Sequence, residues 1–185
     1  MRILLIITVF FAAMFFCKAQ NKMFTRTGKV YFISKTSIIN IDGTNNRTIC
    51  FLDTKTGEIA AGMAMKHFEF TLPLAEEHFN ENYVESDKYP NAKLSGKINN
   101  FDKIDLNEQK TNKVEIIGKL TFHGVTNDIK ITGILEIKKD KYIASSEFEI
   151  NIDDYKIKVP KLVDEKVAKV IPVKVYFELF PHTGK

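Results

Sequence analysis

Apolar and polar positions alternate along most of this chain with a period of two, the spacing of half-buried strands. Residues 30–33 read as a strand, 37–41 as a second short extended stretch and 48–52 as a third. Asp42-Gly43-Thr44-Asn45-Asn46 is a dense turn signal between the last two. The loop 53–57, which ends on Gly57, predicts a hairpin into a strand over 58–65. That strand carries Ala60, Ala61, Gly62 and Ala64, small residues that let something bulky approach a sheet. Over 67–72, Phe68, Phe70 and Leu72 alternate with Glu69 and Thr71. The pattern returns over 93–98, 114–122, 128–137, 142–152 and 167–180. The segment 73–83 breaks it: Leu74, His78 and Phe79, with Tyr83 four residues on, predict a short amphipathic helix. Pro90 disfavours helical geometry at Tyr89 and ends that region. The polar stretch 99–113 predicts a mobile loop, 123–127 a turn, and 153–166 a loop containing Pro160. About eight short strands with one helix predict an all-β domain, a sandwich or an up-and-down barrel.

The first residues stand apart from this pattern. Arg2 precedes an apolar run over 3–16, followed by Cys17, Lys18, Ala19 and Gln20. This is the form of a secretory signal peptide cleaved after Ala19. The run is shorter than the ~20 residues a spanning helix needs, so no stable membrane insertion is expected after cleavage. The domain is then 20–185, in a periplasmic or secreted setting. Cleavage removes Cys17 and leaves Cys50 without an intramolecular partner; between Ile49 and Phe51 it reads as a small buried hydrophobe.

Charge excludes one class of partner. Loss of Arg2 and Lys18 takes Lys plus Arg from 27 to 25 against 23 acids, a net charge of about +2. The lysines are dispersed, with no basic stripe for nucleic acid. The oligomeric state is left open, a homodimer included.

The sequence carries little that resembles a catalytic constellation. His67, His78, His123 and His182 show no metal-ligand spacing, though a strand–helix join could bring His67 and His78 together. His123, before Gly124, reads as a turn residue. Glu76-Glu77 suit the first turn of a helix. No Gly-x-Ser-x-Gly elbow or His-Glu-x-x-His pattern occurs. Neither a catalytic residue nor a metal ligand is assigned.

Three separated segments resemble the YceI-like family. The first runs from His78-Phe79-Asn80 through Tyr83 to Tyr89-Pro90-Asn91-Ala92, followed by Leu94 and Gly96. The second is Gly118-Lys119-Leu120-Thr121-Phe122-His123-Gly124-Val125-Thr126. The third is Phe148-Glu149-Ile150 through Asp154-Tyr155 to Val159-Pro160. Together they cover roughly residues 28–180. The chain departs from longer members in lacking an N-terminal Trp and in carrying Ser37-Ile38-Ile39-Asn40 at its second stretch, as a shorter subgroup does.

The resemblance implies a lipocalin-like antiparallel barrel of about eight strands, with one short helix near one end. It also implies an isoprenoid-like or other lipid ligand and no cofactor beyond it. One strand face would line the interior, with Phe32, Phe51, Met63, Phe68, Phe70, Leu120, Phe122, Ile131, Phe148, Ile150, Val173, Val175 and Phe177 as candidates. Phe79, Tyr83 and Tyr89 would cover one barrel end or line its mouth. The alternation alone favours a solid core, as small barrels are often filled; the resemblance favours a hollow one. The expected function is a carrier, not an enzyme. The rivals are a filled barrel acting as a stress-response or protein-interaction module, and an enzyme using His78 or His123 as a base beside a carboxylate.

Overall fold

The alternating segments fold into antiparallel strands that close on themselves. The computed structural model describes residues 21–182; the signal segment expected over 1–19 lies outside them. The strands are β1 (Lys22–Lys35), β2 (Asn40–Asp53), β3 (Glu58–Ala64), β4 (Phe68–Phe70), β5 (Asn91–Ile98), β6 (Thr111–Phe122), β7 (Val125–Ile137), β8 (Tyr142–Asn151) and β9 (Val170–Pro181). Around the wall the order is β1-β9-β8-β7-β6-β5-β3-β2, and β2 pairs back with β1. The short β4 continues the edge that β3 leaves on β2, with Gly43 opposite Phe70 and Asn45 opposite Phe68. The result is a closed eight-position barrel, which the resemblance predicts and which is one of the two architectures the pattern allows.

Inward positions are apolar because the alternation admits no other arrangement in a closed wall. On β7, Ile131, Gly133, Leu135 and Ile137 are buried while Lys130 and Thr132 are exposed. On β9, Ile171, Val173, Phe177 and Leu179 are buried and Lys174 is exposed. One end of the barrel is packed solid by Cys50, Leu52, Ile98, Leu135 and Leu179, none more than 2% exposed. Gly96 faces Gly118 across the β5–β6 ladder. A Cβ on Gly96 would lie 2.7 Å from the Ile117 carbonyl oxygen and 3.1 Å from Gly118 Cα, so only glycine permits this approach.

Several sequence expectations are corrected. The stretch 42–46 is not a turn but part of β2. Its turn-like residues serve a pair of bulges, where the β1–β2 register slips between Thr25 and Gly28 and again between Gly28 and Val30. At the second slip, Asn45 accepts the Arg47 N–H (2.9 Å) and donates Nδ2 to the Ala64 carbonyl (3.0 Å). The true β1–β2 turn is at Thr36–Ile39, where the Ile39 N–H donates to Thr36 Oγ1. The strand expected over 67–72 is only the three residues of β4, preceded by a 3-10 turn, Met65–His67. The polar stretch 99–113 contains a 3-10 turn, Phe101–Lys103, with Phe101 buried, and ends inside β6.

The helix expected over 73–83 forms in two parts. α1 (Pro73–His78) starts with proline at its first turn. A wider π turn, Phe79–Tyr83, follows, and the Val84 N–H donates to the Phe79 carbonyl. Among the described residues no helix is long and apolar enough to cross a membrane.

Candidate functional site

Above the packed end the barrel is hollow. The cavity has a volume of about 230 Å³. Leu52, Ile98 and Leu135 form its floor, and α1 with the π turn caps it through Ala75, His78, Phe79, Tyr83 and Val84. Under this cap Phe32, Phe68, Phe70 and Phe79 form one aromatic cluster. Phe79 lies 4.9 Å from Phe70, 5.4 Å from Phe68 and 5.5 Å from Phe32, centroid to centroid. With the π turn, Phe79, Tyr83 and the buried Val84 all border the hollow; a regular helix would keep Phe79 and Tyr83 on one face but turn Val84 away.

The structure places most of the predicted lining residues in the cavity wall. Strand β1 supplies Phe32, β3 Met63, and β4 Phe68 and Phe70. From β6 come Leu120 and Phe122, from β7 Ile131, and from β8 Phe148 and Ile150. Strand β9 adds Val173, Val175 and Phe177.

Two expectations are corrected. Phe51 points outward, 38% exposed, with its ring 4.3 Å from Phe24. Cys50 and Leu52 take the inward positions instead, because the run Ile49-Cys50-Phe51-Leu52 is apolar on both faces and gives no parity of its own. Tyr89 stands outside the wall, its ring centroid 4.5 Å from that of His123. Of the small residues on β3, Ala61 and Gly62 border the cavity, Ala61 from an inward position, while Ala60 pairs with the outward Phe51. Lining residues not assigned from the sequence include Ser145 and Ser146, whose polarity hid their place in the wall, and Ala61 and Leu94.

Some of the wall's polar groups are already used by the protein. Ser34 Oγ accepts the Ala168 N–H at 2.9 Å, and Thr48 Oγ1 reaches Asn45 Oδ1 at 3.5 Å. Among the described residues, the only buried side-chain oxygen or nitrogen without a partner is Asn80 Oδ1, and Asn80 is not part of the wall. Burial pushes the Tyr83 phenol up, which keeps it neutral, and pushes the Cys50 thiol up to about 12. The cavity therefore presents mainly dispersion contacts.

The chemistry weighed for histidine divides between two residues. His78 lines the cavity, whereas His123 is the one that meets a carboxylate, Glu85, and it lies outside the wall. His123 has φ 49° and Gly124 φ 72°, a tight turn between β6 and β7. Among the described residues no cluster of three His, Cys, Asp or Glu could hold a metal.

The fold has solved counterparts. A polyisoprenoid binding domain from Saccharophagus degradans, implicated in plant cell wall breakdown, is similar with a TM-score of 0.75 and 13% identity, over 88% of this chain and 99% of that one. BcnA of Burkholderia cenocepacia gives a TM-score of 0.67 and 14% identity over 82% of this chain and 95% of its own. A YCEI protein of Campylobacter jejuni gives 0.57 and 16% over 79% and 88%. No curated protein sequence matches the chain. The model of the YceI-like domain matches residues 22–179, almost the whole described barrel, and this chain belongs to the YceI-like family.

Proposed function

We propose that this protein is an exported carrier that holds the apolar part of an isoprenoid- or fatty-acid-like molecule inside its barrel. The observation that carries this reading is the hollow under Phe79 and Tyr83, walled almost entirely by apolar side chains. A filled barrel acting only as an interaction module has no use for such a space, and cavities of this kind stay dry until an apolar guest enters.

Size bounds the guest. An engineered cavity of about 150 Å³ accepts benzene, so about 230 Å³ takes roughly nine carbon atoms on the same scale. Removing such a segment from water yields about 7 kcal/mol gross, at about 0.8 kcal/mol per methylene, before ordering costs. A longer chain therefore keeps part of its length outside, or displaces the cap. The Saccharophagus degradans neighbour, a polyisoprenoid binding domain, supports a chain of this type. The basic and apolar segment over 1–19 supports export to the periplasm or beyond.

Native mass spectrometry of protein purified from its own host tests the reading. The expected result is a noncovalent lipid adduct on a mature chain that begins at Gln20. Adduct-free protein that also fails to take up a fifteen-carbon isoprenoid alcohol or a fatty acid overturns the carrier function. A mature chain retaining residues 1–19 overturns the export assignment.

A further inference from the structure

The barrel wall is laced unevenly. Along β6–β7 the ladder runs from Thr111 opposite Glu136 to Phe122 opposite Val125. Along β8–β9 it runs from Tyr142 opposite Leu179 to Asn151 opposite Val170. Between β7 and β8 the pairing stops at Gly133 opposite Ser146. Beyond that point residues 125–132 of β7 pair only with β6, and 147–151 of β8 only with β9.

The two strands part into a slit with a stitch at each end. At the closed end Ser146 Oγ donates to the Thr132 carbonyl at 2.6 Å. At the rim Asn127 Nδ2 donates to the Asp154 carbonyl at 2.9 Å. Between the stitches each strand edge turns alternate N–H and C=O groups into the gap without a ladder partner. Ile131, Phe148 and Ile150, which flank it on the inside, belong to the cavity wall. On the outer face a surface groove shares Gly133, Ile134, Ser145, Ser146 and Val175 with the cavity.

Most of the charges around the slit are paired. Asp128 pairs with Lys119, Lys130 with Glu115, and Lys174 with Glu147. Glu149 and Lys113, both exposed, add one charge of each sign, and Asp153, Asp154 and Lys156 stand exposed at the rim. An anionic head would have to surrender hydration there beside the exposed Glu149, with Lys130 and Lys174 already paired. A neutral head that both donates and accepts hydrogen bonds would match the strand edges.

Resting on the carrier reading, we propose that the β7–β8 slit is the head-group site. The ligand's tail lies in the hollow, and its uncharged, hydrogen-bonding head leaves the barrel sideways between Lys130 and Glu149.

A twelve-carbon chain bearing an uncharged nitroxide amide head serves as the probe, with paramagnetic broadening of backbone amides as the readout. Broadening centred on Lys130, Thr132, Glu147 and Glu149, with Ile38 and Leu74 at the α1 end spared, is the expected result. Broadening centred on Ile38 and Leu74 overturns the slit and leaves the carrier intact. A probe that binds nowhere overturns both. As a second measurement, Lys130→Cys and Glu149→Cys are joined by a bis-maleimide, with the buried Cys50 left unreacted. Bridging should weaken the headed probe by roughly tenfold or more while sparing a plain alkane, since it removes the strand-edge partners of the head alone. Equal binding of the headed probe before and after bridging overturns the proposal.

Discussion

The carboxylate of Glu85 lies 3.0 Å from His123 Nε2, while His123 Nδ1 lies 2.8 Å from the Tyr155 carbonyl oxygen. Both ring nitrogens thus face an oxygen, one a carboxylate and one a backbone carbonyl. Glu85 and His123 each adopt a left-handed backbone, φ 45° and 49°, which non-glycine residues hold only where surrounding contacts fix them. The pair thus fastens the chain that follows the cap to the β6–β7 turn and to the 3-10 turn Ile152–Tyr155.

This fastening should loosen in acid. The hydrogen bond from His123, followed by the charges of Lys88 and His123, holds the Glu85 carboxyl below the usual carboxylate range. A depressed carboxyl contributes fully above its unfolded pKa, about 4.3, and its contribution is lost as pH falls through the lowered folded value. Hydrogen-exchange protection factors over 79–90 should be high near neutrality and fall in strong acid. Glu85→Gln should abolish that pH dependence. An unchanged acid profile in the variant would sink the assignment.

Phe79 joins the cap to the aromatic cluster. Phe79→Ala should speed release of a bound fluorescent alkyl probe in stopped-flow displacement. The stability loss should fall short of the ~3–5 kcal/mol typical of a fully buried phenylalanine, because Phe79 is only half-buried. A variant with unaltered release would show that the cap is not the barrier to exit.

Ala61 faces the hollow from β3. Ala61→Phe puts a ring into existing space, so it should eliminate probe binding with a stability change at or below the ~1–3 kcal/mol of ordinary overpacking. Calorimetry for stability and titration for binding separate the two effects. Retained affinity in a folded variant would mean that the guest does not occupy this cavity.

Cys50 is fully enclosed, and desolvation pushes its thiol up to about 12. Thiolate chemistry is therefore shut off in the native state. Alkylation at mildly basic pH should be negligible until denaturant is added and complete afterwards. Rapid native-state labelling would show that the packed end opens.

Much of the fold was legible because β5 to β9 alternate cleanly, Ile131, Gly133, Leu135 and Ile137 being the plainest case. Legibility failed where local chemistry serves a distant partner. Asn45 looks like a turn former, yet its side chain satisfies a bulge and the Ala64 carbonyl. Cys50 and Phe51 are both apolar, so only the register with β1 and β3 decides which one faces inward. Tyr89 follows the helix in sequence, but its ring is held against His123. The parting of β7 from β8 left no mark in the sequence, because 128–137 and 142–152 alternate equally well whether or not they pair.

The packed end has a consequence for traffic. With Leu52, Ile98, Leu135 and Leu179 filling the base, the vessel is blind: cargo cannot pass from one pole to the other. Whatever donates a molecule and whatever receives it must address the same half of the protein, one after the other. Under the proposed carrier function, that describes a container that travels between them, not a conduit that joins them.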